Sequence, residues 1–359
     1  MKNIEVSDKH IGLRVVLFIV ALVLAVGAFS VGVTSIGKKE SGYQSVATGD
    51  ISFNYYFEGT SNSIKRQLKA LKTVYSSILS DYCDQLDSSI AALNEGTEVS
   101  VPAPVYEVLK DAYARTCLQK NYNMFAGALY AEWKSILILD DASEFDPLNN
   151  EYMAYRISEI AREVSDLSNF SLEFVDDSTC TVRFSVSEHY ADFASEFELE
   201  AEPLDLNLME NAYKISIIAS ELEAQGYNNG YLVSSEGLAM TLSGTPEQGY
   251  VLYGLDESGE VAERGNFGVS GASSKVFMSA FSFGTYYNAT VNGRLRHLFF
   301  DTTTGEINDV ILACTIISED SDIVDDMARL IYLCSLPTKE KVSEALANET
   351  FISVDCQFY

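Results

Sequence analysis

The segment Val15–Gly37 carries no charged residue and consists mainly of valine, leucine, alanine and other apolar residues. A helix rises about 1.5 Å per residue, so this segment has about the length that crosses the hydrocarbon core of a bilayer. We therefore predict a transmembrane anchor at residues 15–37, after a short cytoplasmic tail at residues 1–14. A globular unit then has to be built from the residues that follow.

The basic residues around this segment give only a weak indication of its orientation. They stand on both sides of it, at Lys2, Lys9, Arg14, Lys38 and Lys39. A short tail ahead of a single span nevertheless favours a single-pass protein of the cell membrane, with the bulk of the chain extracytoplasmic. The alternative is a cleaved signal peptide, although the apolar run is long for one and no A-x-A cleavage pattern ends it.

The charge of the chain excludes one class of partner. Of its 359 residues, 52 are acidic and 24 are basic, which gives a formal net charge of −28. A protein that binds nucleic acid needs a basic surface, so we expect no nucleic-acid partner. Six cysteines without a C-x-x-C pair, together with three histidines, argue against a Cys/His zinc site.

Hydrophobic periodicity predicts one mixed α+β domain at residues 51–359, joined to the anchor by a polar linker at residues 38–50. The alternation from Ile51 to Phe57 predicts a strand. Apolar residues spaced by three and four from Leu68 to Leu93 predict one long amphipathic helix. Further helices are predicted from Pro102 and at Tyr152–Leu167, Ala212–Gln225, Ile323–Leu336 and Lys339–Leu346. Further strands are predicted at Ser171–Val175, Thr181–Val186, Gly230–Ser234, Tyr250–Leu255, Lys275–Phe281, Tyr286–Val291, Leu298–Asp301, Val310–Ile317 and Phe351–Val354.

An acidic helix start follows the last long apolar strand before the C-terminal helices. Asp322 and Asp325 are spaced i, i+3 and share one face of the predicted helix, and Asp326 comes next. Carboxylates on one face suit a hard cation such as Mg²⁺, which binds oxygen ligands and often phosphate as well. The alternative is that these acidic residues simply complement the dipole at a helix N-terminus.

A second candidate is the run Asp301–Gly305, which is rich in hydroxyl groups and ends in glycine. Its hydroxyls and backbone N–H groups suit a phosphate, but an ordinary turn with glycine at a positive φ has the same composition. His297 precedes this run. It suits acid–base chemistry or hydrogen bonding, and the alternative is an ordinary surface or core histidine.

The order of these segments resembles the FAD:protein FMN transferase family, also called the ApbE family, over most of residues 47–350. Ser89–Asn94 resembles the family's S-x-I-x-x-L-N, and Tyr122–Leu129, with Trp133 beyond it, resembles F-D-P-T-V-G-P-L…W. Leu204-Asp205-Leu206 and Tyr213 resemble the segment D-L-G-G-I-A-K-G-Y.

The C-terminal part continues the resemblance. Gly293-Arg294, Asp301 and Thr304-Gly305 resemble G-K-R-Y-x-H-I-I-D-P-x-T-G, and Val324-Asp325 falls where the family has A-D-A-L-x-T. Members of this family are exported or anchored outside the membrane. They bind FAD and Mg²⁺, cleave the pyrophosphate, and transfer FMN to a Thr or Ser hydroxyl of a partner flavoprotein.

The resemblance implies an ApbE-like flavin transferase domain after the anchor, with FAD as substrate and Mg²⁺ as cofactor. The implied partner is a flavoprotein acceptor at the membrane or cell surface. The implied site comprises His297 and Asp301 as catalytic residues, Asp205, Asn211, Tyr213, Thr304 and Gly305 as FAD-binding residues, and Asp322 and Asp325 as metal ligands.

Several positions depart from the family's motifs. Asn123 replaces an aspartate, Asn207 and Leu208 replace both glycines of D-L-G-G, Asn211 replaces a lysine, Glu236-Gly237-Leu238 replaces G-G-D, and Leu298 stands at the motif histidine, with His297 one residue earlier. Bulky side chains in place of glycines obstruct the close approach of a nucleotide. Arg329 replaces the motif threonine, and we predict that it pairs with Asp325 and fills the place of the cation.

Two functions therefore stay open at this point. The first is a membrane-anchored, extracytoplasmic FMN transferase with a variant site. The second is a pseudoenzyme, that is, a non-catalytic flavin-binding or scaffolding relative that keeps the fold. A surface protein without a nucleotide function is a third alternative.

Overall fold

The computed structural model describes residues 39–48, 50–118, 121–139, 142–245, 248–255, 261–269, 273–279, 288–289, 295–318, 322–348 and 353–358. The predicted tail and the predicted anchor lie outside these ranges, as do Gly293 and Arg294. Parts of the predicted strands Lys275–Phe281, Tyr286–Val291 and Phe351–Val354 also lie outside them. Among the helices that are described, none combines the length and the apolar character needed to cross a membrane.

The described part of the chain combines helices with antiparallel sheets, so the predicted α+β class is confirmed. The helices are α1 (Ser61–Ile78), α2 (Asp84–Asn94), α3 (Ala103–Leu118), α4 (Gly127–Leu137), α5 (Ala142–Phe145), α6 (Glu151–Ser165), α7 (Glu188–Glu196), α8 (Glu210–Ala224), α9 (Ile323–Cys334) and α10 (Lys339–Asn348). The strands are β1 (Glu40–Thr48), β2 (Ile51–Gly59), β3 (Val99–Ser100), β4 (Phe170–Asp176), β5 (Thr181–Val186), β6 (Gly230–Ser234), β7 (Leu238–Thr241), β8 (Gln248–Leu255), β9 (Val261–Val269), β10 (Ser273–Ser279), β11 (Asn288–Ala289), β12 (Leu295–Arg296), β13 (Ile311–Ser318) and β14 (Ser353–Phe358).

The main sheet has seven strands in the order β1-β2-β6-β7-β10-β13-β14, and all of its neighbouring strands run antiparallel. Helices α1, α8 and α9 pack on this sheet, and α8 and α9 also contact each other. The chain also forms a three-stranded sheet, β3-β5-β4, and two two-stranded ones, β8-β9 and β11-β12. The contact between α8 and α9 brings the first turns of both helices to the same region of the molecule.

The predicted linker at residues 38–50 is wrong, because most of it forms strand β1. This strand pairs with β2 along its whole length, from Glu40 opposite Gly59 to Thr48 opposite Ile51. Strand β1 ends the order of the main sheet, so among the described residues it is paired along its edge with β2 alone. An edge strand tolerates polar residues on its open side. The polar sequence therefore lacks the apolar alternation by which a strand is normally recognised.

The predicted long helix is two α-helices, α1 and α2, joined by a π-helical turn at Leu79–Cys83. The buried face of α1 ends at Ile78, and the next buried residue of the series is Cys83. That step of five residues does not fit the three-or-four spacing of an α-helix. A π turn takes up the additional residue and keeps both apolar stripes facing the core.

The loop before α8 is held in place by hydrogen bonds from segments that resemble the family's motifs. The Asn94 side chain donates to the Leu204 carbonyl at 2.8 Å and accepts the Leu204 N–H at 3.0 Å. The Gly127 N–H donates to the Pro203 carbonyl at 3.0 Å, and the Asp205 N–H donates to the Met124 carbonyl at 2.8 Å. These bonds fix the backbone from which α8 begins.

The predicted strand Leu298–Asp301 is also wrong. Strand β12 ends at Arg296, and within the described residues 297–301 the pairing is an isolated bridge from Phe300 to Ile307. The His297 ring takes the Phe299 N–H at 3.1 Å, so that group is satisfied by a side chain and not by a neighbouring strand. Helices α4, α5 and α7 are further elements that the sequence pattern does not predict.

The close approach of the loop before α8 to Gly127 predicts the effect of a larger side chain on stability. A Cβ atom at this position would lie 2.2 Å from the Glu202 carbonyl oxygen. Gly127→Ala should therefore lower the free energy of unfolding by about 1–3 kcal/mol, the usual cost of overpacking. Urea denaturation followed by circular dichroism measures the change. Gly42→Ala is the matched control, since no heavy atom lies within 4 Å of its Cβ; an equal loss in both variants would contradict the prediction.

Candidate functional site

Helices α3, α8 and α9 meet at a cluster of charged side chains. We call this cluster the carboxylate corner, and it consists of Asp111, Arg115, Tyr213, Asp322 and Asp325. The Arg115 Nε donates to Asp111 Oδ2 at 2.6 Å, and its Nη2 donates to Asp325 Oδ1 at 2.7 Å. The Tyr213 hydroxyl donates to the same Asp111 oxygen at 2.7 Å. One guanidinium thus bridges two carboxylates from different helices.

Local sequence explains how each side chain reaches this corner. Asp111 and Arg115 are spaced i, i+4 on α3 and so lie on the same face. Asp322 is the N-cap of α9 and accepts the Val324 N–H at 3.1 Å, while Asp325 lies in the first turn of that helix. Acidic residues are stabilised at this end of a helix by its dipole.

The electrostatics of the corner depend on Arg115. Burial lowers the pKa of Arg115, but hydrogen bonds to Asp111 and Asp325 outweigh it and leave the pKa above its ordinary value. Burial, followed by the bond to Asp111, raises the pKa of Tyr213. Partial burial also raises the pKa of the Asp322 carboxyl, an effect that the nearby Asp325 reinforces. The Asp322 residue as a whole is exposed, so its desolvation is incomplete.

The arrangement does not fit Mg²⁺ while Arg115 is in place. A hard cation would bind the carboxylate oxygens of Asp111 and Asp325, and one oxygen of each already accepts a hydrogen bond from the guanidinium. Within the part of the chain that the structure describes, no three His, Cys, Asp or Glu side chains form a group able to hold a metal ion. The corner therefore contains an internal cation, which contacts Asp325, one of the two residues predicted as metal ligands.

The sequence predicts Arg329 as the partner of Asp325, but the structure pairs Asp325 with Arg115. Arg329 donates to Asp326 Oδ1 at 3.3 Å, and Asp326 is fully buried, where it also accepts from the Ser318 hydroxyl. The guanidinium on Asp325 is that of Arg115, which comes from α3. An arginine does pair with Asp325, as expected, but the residue named for that role was wrong.

His297, predicted as a catalytic residue, is 1% exposed. Its Nδ1 accepts the Phe299 N–H, so its Nε2 carries the proton and donates to the Asn308 carbonyl at 3.0 Å. Burial, the largest cause, lowers the pKa of His297 to about 4. The structure therefore places a neutral imidazole inside the core, with both of its nitrogens satisfied by backbone groups.

The predicted phosphate turn is held together by its own hydrogen bonds. Asp301 Oδ1 accepts the Thr303 N–H at 2.8 Å, and Thr304 Oγ1 accepts the Glu306 N–H at 3.2 Å. Gly305 has a φ of +76° and its carbonyl accepts the Trp133 indole N–H at 2.8 Å. These contacts account for the composition of the turn without a ligand, and Thr304 remains exposed.

The start of α8 carries two more of the predicted residues. Asp205 Oδ1 accepts the Asn207 N–H at 2.6 Å and thereby stabilises the turn into the helix. Asn207 has a φ of +52°, which is the left-handed conformation that glycine and asparagine adopt most readily. Asn211 hydrogen-bonds the Glu236 carboxyl. The asparagine in place of the motif's first glycine thus keeps a glycine-like backbone.

A cleft of about 360 Å³ opens beside the π turn and borders Asn211. It is lined by Asp50, Ile51, Ser76, Leu79, Ser80, Cys83, Asp84, Asp87, Asn211 and Lys214. Lys214, which the sequence reasoning missed, contacts Asp87 and Glu210; burial lowers its pKa, but these partners raise it above its ordinary value. The spacing of three residues from Asn211 was the available signal, since it puts both residues on one face of α8.

The structure therefore brings some of the predicted residues together and separates others. Tyr213, Asp322 and Asp325 meet at the carboxylate corner, and they are joined there by Asp111 and Arg115. Asn211 lies at the cleft. The remaining predicted residues are elsewhere: Asp205 in the turn before α8, His297 in the core, and Asp301, Thr304 and Gly305 in the closed turn.

The fold is that of the ApbE flavin transferases. The flavin transferase ApbE of Vibrio cholerae matches with a TM-score of 0.56 at 13% identity, over 90% of this chain and 97% of that one. The ApbE protein of Thermotoga maritima matches with a TM-score of 0.57 at 16% identity, over 89% and 94%. The apo flavinyl transferase ApbE of Pseudomonas stutzeri matches with a TM-score of 0.56 at 13% identity, over 91% and 93%. No protein-family model and no curated protein sequence matches the chain.

The burial of His297 predicts that the stability of the protein depends on pH. Its pKa is lowered in the folded state, so between about pH 6.5 and pH 4 the unfolded chain binds the additional proton. The contribution of His297 to stability is therefore present above this range and is lost as the pH falls through it. The loss between pH 7 and pH 5 should be about 2 kcal/mol.

Urea denaturation at pH 7 and pH 5 tests this, with His297→Gln as the comparison. The variant lacks a titrating ring, so its stability should depend less on pH than that of the wild type over this range. Equal pH dependence in both proteins would show that the His297 ring is accessible to protons in the folded state.

Proposed function

We propose that this chain is an FMN transferase-like protein that binds FAD and associates with a flavoprotein at the membrane or cell surface. The observation that carries the proposal is the fold match to flavin transferases over about nine-tenths of the chain. Of the two forms of this function, we favour flavin binding without Mg²⁺-dependent transfer. The reason is that the Arg115 guanidinium already binds Asp111 and Asp325 in the carboxylate corner.

The cleft is the proposed position for an uncharged ring of FAD. Its volume lies in the lower part of the range of small-molecule pockets, which is about 300–1,000 Å³. Ser76, Ser80 and Asn211 offer hydrogen bonds to a ring edge. Three aspartates outnumber Lys214 in its lining, so the cleft disfavours the pyrophosphate and suits a flavin or adenine ring.

The bridge formed by Arg115 argues against metal-dependent transfer. Cleavage of a pyrophosphate develops negative charge that a metal ion normally stabilises. In this chain Asp111 and Asp325 already share a guanidinium, with both contacts at 2.7 Å or less. An FAD pyrophosphate near this corner would meet carboxylates without a bound metal to bridge to them.

We also propose that residues 15–37 anchor the chain in the membrane and that the folded part lies outside the cytoplasm. The uncharged apolar segment supports the anchor. A surface this acidic, with a net charge of −28, suits solubility through self-repulsion. An extracytoplasmic position would also place the fold beside membrane flavoproteins.

The proposal predicts that the full-length chain, purified in detergent, binds FAD but does not transfer FMN. The protein is incubated with FAD, Mg²⁺ and a flavoprotein acceptor domain. Flavin that co-elutes with the chain, without AMP release and without covalent flavin on the acceptor, is the expected result. AMP release with covalent flavin would show an active transferase, and absence of bound flavin would contradict the proposal.

A pair of variants on α1 and the π turn tests the position of the ring. Ser80 lines the cleft, and Ser80→Trp should fill it and weaken FAD binding by roughly tenfold or more. Ser77 is exposed on the same helical segment without lining the cleft, so Ser77→Trp is the matched control and should bind FAD as the wild type does. Equal effects of both substitutions would place the ring elsewhere.

A further inference from the structure

The Arg115 side chain is held between two carboxylates by separate nitrogens. Nε faces Asp111 at 2.6 Å and Nη2 faces Asp325 at 2.7 Å. The side chain is 16% exposed, so these contacts lie in a partly desolvated position. The planar fork of a guanidinium suits such a bridge better than a lysine ammonium, because its N–H groups point in fixed directions.

A third carboxylate, that of Asp322, belongs to the N-cap residue of α9, three residues before Asp325. It accepts the Val324 N–H at 3.1 Å. Carboxylates from two helices, those of Asp111 and Asp325, thus share one cation, and this cation is covalently part of the protein.

We propose that Arg115 is a built-in substitute for a divalent cation, and that removing its guanidinium converts the carboxylate corner into a site for Mg²⁺ or Mn²⁺. This deepens the proposed function, on which it rests for the role of the corner. The contacts of Arg115 support this proposal, because the guanidinium binds carboxylate oxygens of Asp111 and Asp325 that a metal ion would also bind.

The chemistry of the corner defines the ion that would replace the guanidinium. Asp111, Asp322 and Asp325 provide only oxygen ligands, which are preferred by hard cations and not by soft ones. The Tyr213 hydroxyl donates to Asp111 Oδ2 at 2.7 Å and so restricts the orientation of that carboxylate. The Asp111 and Asp325 oxygens that contact Arg115 accept from different nitrogens. A small dication, with metal–oxygen bonds of about 2.1 Å, would draw these oxygens closer together.

The experiment uses Mn²⁺ alone with the full-length chain, and compares the wild type with Arg115→Met. Methionine keeps an unbranched apolar stem and removes the charge. Electron paramagnetic resonance measures free Mn²⁺ during a titration. Arg115→Met should bind about one Mn²⁺ per chain at least roughly tenfold more tightly than the wild type, because no fixed cation repels the ion. Mg²⁺ should compete, and Mn²⁺ should raise the melting temperature of the variant only.

Two further variants make the outcome specific. Arg115→Lys retains a cation and should behave as the wild type, whereas Arg115→Met combined with Asp325→Asn should lose the acquired site. The proposal is overturned if the wild type binds Mn²⁺ as tightly as Arg115→Met, or if folded Arg115→Met acquires no site. If Arg115→Met does not fold, Arg115→Gln, which keeps more of the polar contacts, is titrated in its place with the same two outcomes.

The readout is independent of flavin. A chain that fails to bind FAD but acquires a Mn²⁺ site in Arg115→Met contradicts the proposed function and supports the role of Arg115. A chain that binds FAD, but in which folded Arg115→Met acquires no site, contradicts the role of Arg115 and leaves flavin binding supported.

Discussion

The bridge made by Arg115 is the interaction on which the junction of α3, α8 and α9 depends. Asp325 lies at a helix start, where the dipole favours an acid, but Asp111 lies in the second half of α3, where it does not. Arg115, in the last turn of α3, complements both the carboxylates and the dipole of its own helix. Tyr213 adds α8 through the same Asp111 oxygen. Because one guanidinium holds two helices together, its loss would leave carboxylates facing each other across the junction.

The motif-like residues that this chain keeps are largely those that hold backbone segments together. Asn94 clamps the loop before α8, Gly127 allows that loop to pass against α4, and Trp133 donates to the Gly305 carbonyl. These contacts need no ligand, so they can persist when the chemistry changes. Asn207 belongs with them, since its left-handed backbone preserves the turn that a glycine would make. Of the other departures from the family's motifs, Asn211 lies at the cleft and Arg329 contacts Asp326, next to Asp325.

The sequence predicted the elements whose patterns reflect one-sided burial, such as α6, α8, β5 and α9. It could not predict β1, whose polar edge lacks that pattern, or the π turn, where the apolar spacing changes by one residue. At the site, the acidic start of α9 was predicted because its residues are close in sequence. Arg115 was missed because it meets Asp325 across 210 residues of sequence. Long-range pairing of this kind depends on how α3 packs against α9, which local patterns do not contain.

The proposed role of Arg115 as a substitute for a metal ion also limits the chemistry that the carboxylate corner can carry out. A metal ion can bind protein carboxylates and a pyrophosphate at the same time, because its coordination sphere has room for both. The Arg115 nitrogens that face Asp111 and Asp325 are already engaged, so a phosphate would have to compete with two carboxylates for them. The neutral, buried His297 offers no proton donor to offset this. The proposed position of an uncharged ring in the cleft beside α8 does not depend on these groups, so the proposal treats flavin binding and FMN transfer as separable.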